Sequence, residues 1–176
     1  MKRRKGITIG LFGTCDESRW RDRFMAEYKR LKIKYYNPQV APGTWDPKMA
    51  DIEARHLAHD QIILFPVTSE SYGLGSLAET GYSILSALKL NGQRDVVILI
   101  DQTLDQRLVY GPDAKASLRA RRLVLAHLKK LRLDRVYVVD TMDELMAVSL
   151  KLYHCAVIRE EIRQYNPAVK FKKKRE

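Results

Sequence analysis

Asp95-Val96-Val97-Ile98-Leu99-Ile100 decides the fold class of this chain. After its first residue it is apolar at every position, with no polar alternation. It therefore reads as a strand buried on both faces, and such strands belong to parallel sheets covered by helices above and below. Its neighbours agree. Ser76 to Leu90, opened by Gly73-Leu74-Gly75, precedes it as a helix, and Gln61 to Val67 before that is a second apolar run. Farther toward the amino terminus lie a helix over Lys48 to His59, a loop over Asn37 to Asp46 rich in proline and glycine, and a strand over Ile33 to Tyr36. Ser18 to Leu31 carries Trp20, Phe24, Tyr28 and Leu31 at helical spacing, with Ser18 as its cap. Ile7 to Phe12 is a short strand ending at Gly13. On the carboxyl side the spacing predicts a helix over Ala114 to Leu131, a fifth strand over Arg135 to Val139 and a closing helix over Met142 to Gln164.

Five strands alternating with five helices predict an α/β fold. The sheet is doubly wound, five-stranded and parallel in the order 2-1-3-4-5, a flavodoxin-like or Rossmann-like three-layer sandwich. With 176 residues and 45% hydrophobic composition, one domain spanning 1–176 is expected, with short basic tails at 1–5 and 166–176. No apolar run approaches the roughly 20 residues that cross a bilayer, and the start has no signal-peptide core, so a cytoplasmic protein is expected. Two cysteines, Cys15 and Cys155, make neither a disulfide framework nor a four-ligand zinc site. The formal charge is +11, but Lys2, Arg3, Arg4 and Lys5 supply +4 of it. Lys170, Lys172, Lys173, Lys174 and Arg175, less Glu176, supply another +4, leaving the body only +3. Weak non-specific nucleic-acid contact through those tails is one expectation, and a solvated extension is the other. Most of the cations along 114–131 mark a solvated helix face.

In a sheet of this order ligands sit outside the strand carboxyl ends where the winding reverses. That places the candidate pocket at residues 13–19, 37–46 and 68–76. Gly13, Thr14, Asn37, Asp46, Ser71, Gly73, Gly75 and Ser76 are the candidate binding residues, together with Arg21 as a bidentate partner for an anion. Asn37 and Asp46 serve equally as turn formers, and Arg21 equally as a solvated helix cation. Glu79 follows the glycine-rich loop and is the candidate catalytic carboxylate. Ser76-x-x-Glu79 is also a capping box, in which the carboxylate only satisfies a backbone amide. Glu53 and His56 share one helix face as a surface pair, and no metal site is expected. Gly10-x-x-Gly13 lacks the dinucleotide spacing and no Lys-Ser/Thr follows a glycine loop, so no cofactor is expected.

Gly73-Leu74-Gly75 followed by Glu79-Thr80-Gly81-Tyr82, with Gly13-Thr14-Cys15, Ser18-x-Trp20-Arg21 and Asn37-Pro38 at the front, resembles the nucleoside 2-deoxyribosyltransferase-like family. Glu53 and Asp60 suit the same pattern, and the resemblance covers residues 6 to 101. It implies cleavage or transfer of a nucleoside or nucleotide N-glycosidic bond, with Glu79 as nucleophile. It further implies a small-molecule nucleoside or nucleotide partner and a homo-oligomer. The chain departs from the pattern where the transferases carry an aspartate six residues before the glutamate, because Gly73 stands there. A non-catalytic nucleotide-binding module using the same cleft is the alternative.

Overall fold

The computed structural model describes residues 6–15, 18–40, 44, 46–90 and 92–167. Along them run β1 (Thr8–Leu11), α1 (Trp20–Arg30), β2 (Lys34–Tyr36), α2 (Pro47–His59), β3 (Ile62–Val67) and α3 (Leu74–Leu90). There follow β4 (Asp95–Ile100), α4 (Ala114–Leu131), β5 (Val136–Val139), α5 (Met142–Ile162) and a 3-10 turn over Arg163–Tyr165. The strands form one sheet in the order β2-β1-β3-β4-β5, every pair parallel, as the alternation of elements predicts.

Alternate residues of each strand feed two cores, because side chains on a strand point to opposite faces. Ile9, Leu11, Ile62, Leu64, Val97 and Leu99 meet Trp20, Phe24 and Tyr28 of α1 and Leu145 and Leu152 of α5. Ile63, Phe65, Val67, Val96, Ile98 and Ile100 meet Leu77 and Ile84 of α3, with Val124, Leu125 and Leu128 of α4 packed outside them. Asp95, fully buried at the amino end of β4, ties the sheet to its last elements through Arg135 at 3.3 Å and Arg159 of α5 at 2.5 Å.

Pro66 lies in the central strand β3, where a missing N–H would ordinarily break a ladder. Its register partner toward β4 is Leu99, while pairing with β1 ends earlier, at Leu11–Leu64. The Pro66 carbonyl instead accepts the Thr14 amide at 2.9 Å. Gly13 makes that turn with φ of +88°, and a side chain there would meet the Pro66 carbonyl at 2.3 Å. The first loop is therefore pressed against β3 at the point where β1 and β3 diverge.

Two helix starts differ from expectation. Ser18 caps nothing: Arg19 is the N-cap of α1, and no side chain bonds there. α3 begins at Leu74, two residues before Ser76, and the Leu77 amide bonds the Gly73 carbonyl at 2.8 Å. Ser71 Oγ takes the Gly73 amide at 3.0 Å and so supplies the local support that Ser76 was expected to give. Glu79 consequently falls in the second turn, and the capping box does not form. The tail residues 1–5 and 168–176 lie outside the described residues.

Candidate functional site

The carboxyl edge of the sheet is built around two buried arginines. Arg21 reaches back from α1 under the first loop and is fully buried. Its Nε donates to the Leu11 carbonyl at 2.9 Å and Nη1 to that of Thr14 at 2.5 Å. Its Nη2 donates to Phe12 and Gly13, both at 3.2 Å, and lies 3.4 Å from Cys15 Sγ. The Trp20 indole donates to the same Thr14 carbonyl at 3.1 Å, and the Arg21 guanidinium stands 4.6 Å from that ring's centroid. Thr14 is equally engaged, its hydroxyl accepting the Thr68 amide at 3.0 Å.

Arg121 does the same for the third loop, residues 68–73 between β3 and α3. It is fully buried, on the side of α4 where Ala114 and Ser117 are small enough to admit it. It donates to the carbonyls of Val67 at 3.1 Å, Asp101 at 2.9 Å, Thr68 at 2.9 Å and Ser71 at 2.7 Å, and to Ser117 Oγ at 3.1 Å. Gly73, at φ +63°, leaves the space beside Val67 and Arg121 that a side chain would occupy. Asp101 accepts the Ser69 amide at 2.8 Å, and burial raises its carboxyl above the usual range. Glu70 takes the hydroxyl of Ser18 and lies 3.3 Å from that of Thr68, joining the start of α1 to the third loop.

These bonds place the sequence-predicted residues. Arg21 offers no donor to a ligand, because its donors already serve the backbone. Asn37 and Asp46 take the turn-forming alternative: Asn37 Oδ1 accepts the Gln39 amide at 3.0 Å, and Asp46 caps α2 through the Lys48 amide. Ser71, Gly73 and Gly75 do come together, lining an open groove of about 460 Å³ with Glu70, Tyr72, Leu74, Arg107 and Leu108. Gly13, Thr14, Arg21, Asn37, Asp46, Ser76 and Glu79 are not among the residues that line it. Arg107, the cation at that groove, lies 3.0 Å from Asp105.

Glu79 stands exposed on α3, without a hydrogen-bond partner among the described residues. Partial burial raises its carboxyl, and the negative charge of Glu53 on α2 raises it further. Glu53 is itself raised by burial, with the Arg21 charge pulling the other way. His56 pairs with Asp60, at 3.1 Å to both carboxylate oxygens, and stacks on Tyr36 with ring centroids 3.6 Å apart. It does not pair with Glu53. Sequence reasoning missed Arg121, Glu70 and Asp101. The small residues Ala114 and Ser117, three and four positions apart from one another and from Arg121, were the available signal for the first.

No protein-family model matches this chain, and no curated protein matches it. Among solved structures it is similar to one described as the crystal structure of the RPS4 and RRS1 TIR domain heterodimer, with a TM-score of 0.52 and 10% identity over 85% of this chain and 96% of that one. At that identity the likeness concerns the fold, an α/β fold of TIR or flavodoxin-like type. It overturns the resemblance to the 2-deoxyribosyltransferase-like family, for which no match stands. The expected glycosidic chemistry at Glu79 and the alternative nucleotide-binding use of the same cleft fall with it. So does the expected set of partners: a nucleoside or nucleotide, a second copy of the chain, and nucleic acid on the tails. The neighbouring structure is an assembly of two protein domains. Among the described residues no helix is long and apolar enough to cross a membrane.

Proposed function

We propose that this chain is a protein-interaction domain that works by docking a partner protein on α5. One observation carries the reading. Leu145, Ser149, Leu152 and Ala156 turn one face of α5 into the core. On the opposite face Ile158 and Ile162, each 57% exposed, continue into Tyr165 of the 3-10 turn, 72% exposed. The spacing of four and then three residues puts all three on one stripe. Single exposed apolar residues are ordinary on a protein surface, but large ones aligned along a helix mark an interface. Isoleucine and tyrosine anchors set among Lys151, Arg159 and Glu161 match the apolar centre and polar rim of protein interfaces.

Two further facts support it. Arg21 and Arg121 spend their donors on backbone carbonyls, so the carboxyl edge is braced rather than equipped for an anionic substrate. The TIR neighbour is itself solved as a pair of domains. The reading places the chain in the cytoplasm, where the exposed thiol of Cys155 on the same helix stays reduced. The test is photo-crosslinking from a photoreactive residue in place of Ile158, in the source cells. A discrete protein adduct that disappears with Ile162→Glu is expected. Adducts confined to the chain's own residues refute the proposal.

A further inference from the structure

The geometry points to α4 as a second docking surface, for an acidic amphipathic segment of a protein partner. This rests on the proposed function only in taking a protein as the partner. α4 holds Lys115, Arg119, Arg121, Arg122, Lys129 and Lys130 in eighteen residues and no acidic residue at all. Arg121 is buried, and the other five are exposed. At 100° per residue those five fall within an arc of about 100°, a cationic stripe along the face opposite Ser117 and Arg121. Among the described residues only Lys129 has an acidic partner, Asp140 at 3.9 Å.

The stripe works against the helix that carries it. Lys115 stands in the first turn, where the helix dipole disfavours a cation; that turn holds no acidic residue, and Asp113 at the N-cap makes no side-chain cap bond. Lys115 with Arg119, and Arg119 with Arg122, are like charges at four- and three-residue spacing, which repel. A merely solvated face would intersperse acids, as α5 does with Glu160 and Glu161 beside Arg159 and Arg163. An unrelieved arrangement of this kind is explained by a partner that supplies the missing negative charge.

The apolar residues at its margin select the kind of partner. Leu123, 54% exposed, stands at the edge of the stripe, and Tyr110 in the loop before α4 is 92% exposed. A phosphate backbone has nothing to pack on Leu123. A helix with glutamate or aspartate on one side and leucine on the adjoining side meets both, in the manner of helix-on-surface recognition.

The test uses the full chain and a labelled synthetic acidic amphipathic peptide of 18 residues, the length of α4. Controls are the same composition scrambled to destroy the amphipathic pattern, and a single-stranded RNA and a DNA duplex of matching length. At physiological salt the designed peptide is expected to bind. The combined variant Arg119→Ser, Arg122→Ser, Lys130→Ser should weaken it about tenfold. Leu123→Ser should weaken it several-fold, while Ile158→Glu leaves it unchanged. Serine is a weaker helix former than arginine or lysine, so circular dichroism and Tm of the triple variant are read beside its binding, and the weakening counts only with the variant fully folded at the assay temperature. Equal affinity of parent and triple variant, equal affinity for the scrambled peptide, or tighter binding of either nucleic acid overturns the inference. A loss caused by Ile158→Glu also overturns it. None of these outcomes bears on the crosslink from position 158.

Discussion

Arg121→Leu should unfold the carboxyl edge of the sheet at a markedly lower temperature than the parent. The guanidinium satisfies four carbonyls, those of Val67, Thr68, Ser71 and Asp101, and it is fully buried. Leucine keeps most of the volume and removes the desolvation of a buried cation, which works in the variant's favour. Against that, several buried acceptors lose their donor, each worth about 1–3 kcal/mol. Breaking one side of a buried charged network typically costs about 3–5 kcal/mol, and that is the loss expected here. For a domain of this size it corresponds to a fall in Tm of roughly 6–20 °C. Arg121→Lys should recover about half at most, because an ammonium has three donors and no planar fork to reach four carbonyls on two loops. Thermal and urea unfolding followed by circular dichroism reads both. A Leu variant melting within about 2 °C of the parent would refute the view that this arginine braces the edge.

Gly13→Ala should cost at least about 1–3 kcal/mol from the positive φ alone, with the 2.3 Å approach to the Pro66 carbonyl adding to it; chemical denaturation checks this. Glu79→Gln should leave stability unchanged near pH 4 and raise it slightly at pH 7. The folded carboxyl is raised above its ordinary value of 4.5, so its favourable contribution is present when protonated and is lost as pH climbs through the raised value. The gain should be at most about 0.5 kcal/mol after solvent screening, read from Tm across that pH range. A loss of stability at pH 7 would show that the carboxylate has a partner that its exposed position on α3 does not provide.

The strands and their order were legible because burial on both faces leaves continuous apolar runs, and such runs admit little else. Ile62 to Val67 and Asp95 to Ile100 are the clearest cases, buried at every position. Helix starts were less legible. Ser18 and Ser76 are good cap residues by type, yet Ser18 bonds Thr68 and Glu70 across the fold, and the free Gly73 carbonyl starts α3 earlier. Neither buried arginine is legible as such: the sequence offers Arg21 as an anion partner or a solvated helix cation, and Arg121 as one of the cations of a mostly solvated face. Both cases share a cause: loops that turn their carbonyls inward demand a donor from elsewhere, and a single sequence shows the cation but not the carbonyls. The glycine-rich segment and Glu79 were read as a family signature, but short motifs at the mouth of a doubly wound sheet recur across unrelated functions. The α5 stripe escaped notice because that helix is apolar on two faces. Only the structure separates Leu152, turned into the core, from Ile158, turned out of it.

Cys155 gives the most direct access to the claim that α5 docks a protein, since it is exposed beside Ile158 and Lys151 on the outward face of the helix. The measurement is its alkylation rate by a small thiol reagent, read by mass spectrometry, in the purified chain and within the source cells. The account predicts slowing of at least about tenfold in cells, abolished by Ile158→Glu with Ile162→Glu. Equal rates in both settings, with the parent sequence, would contradict it.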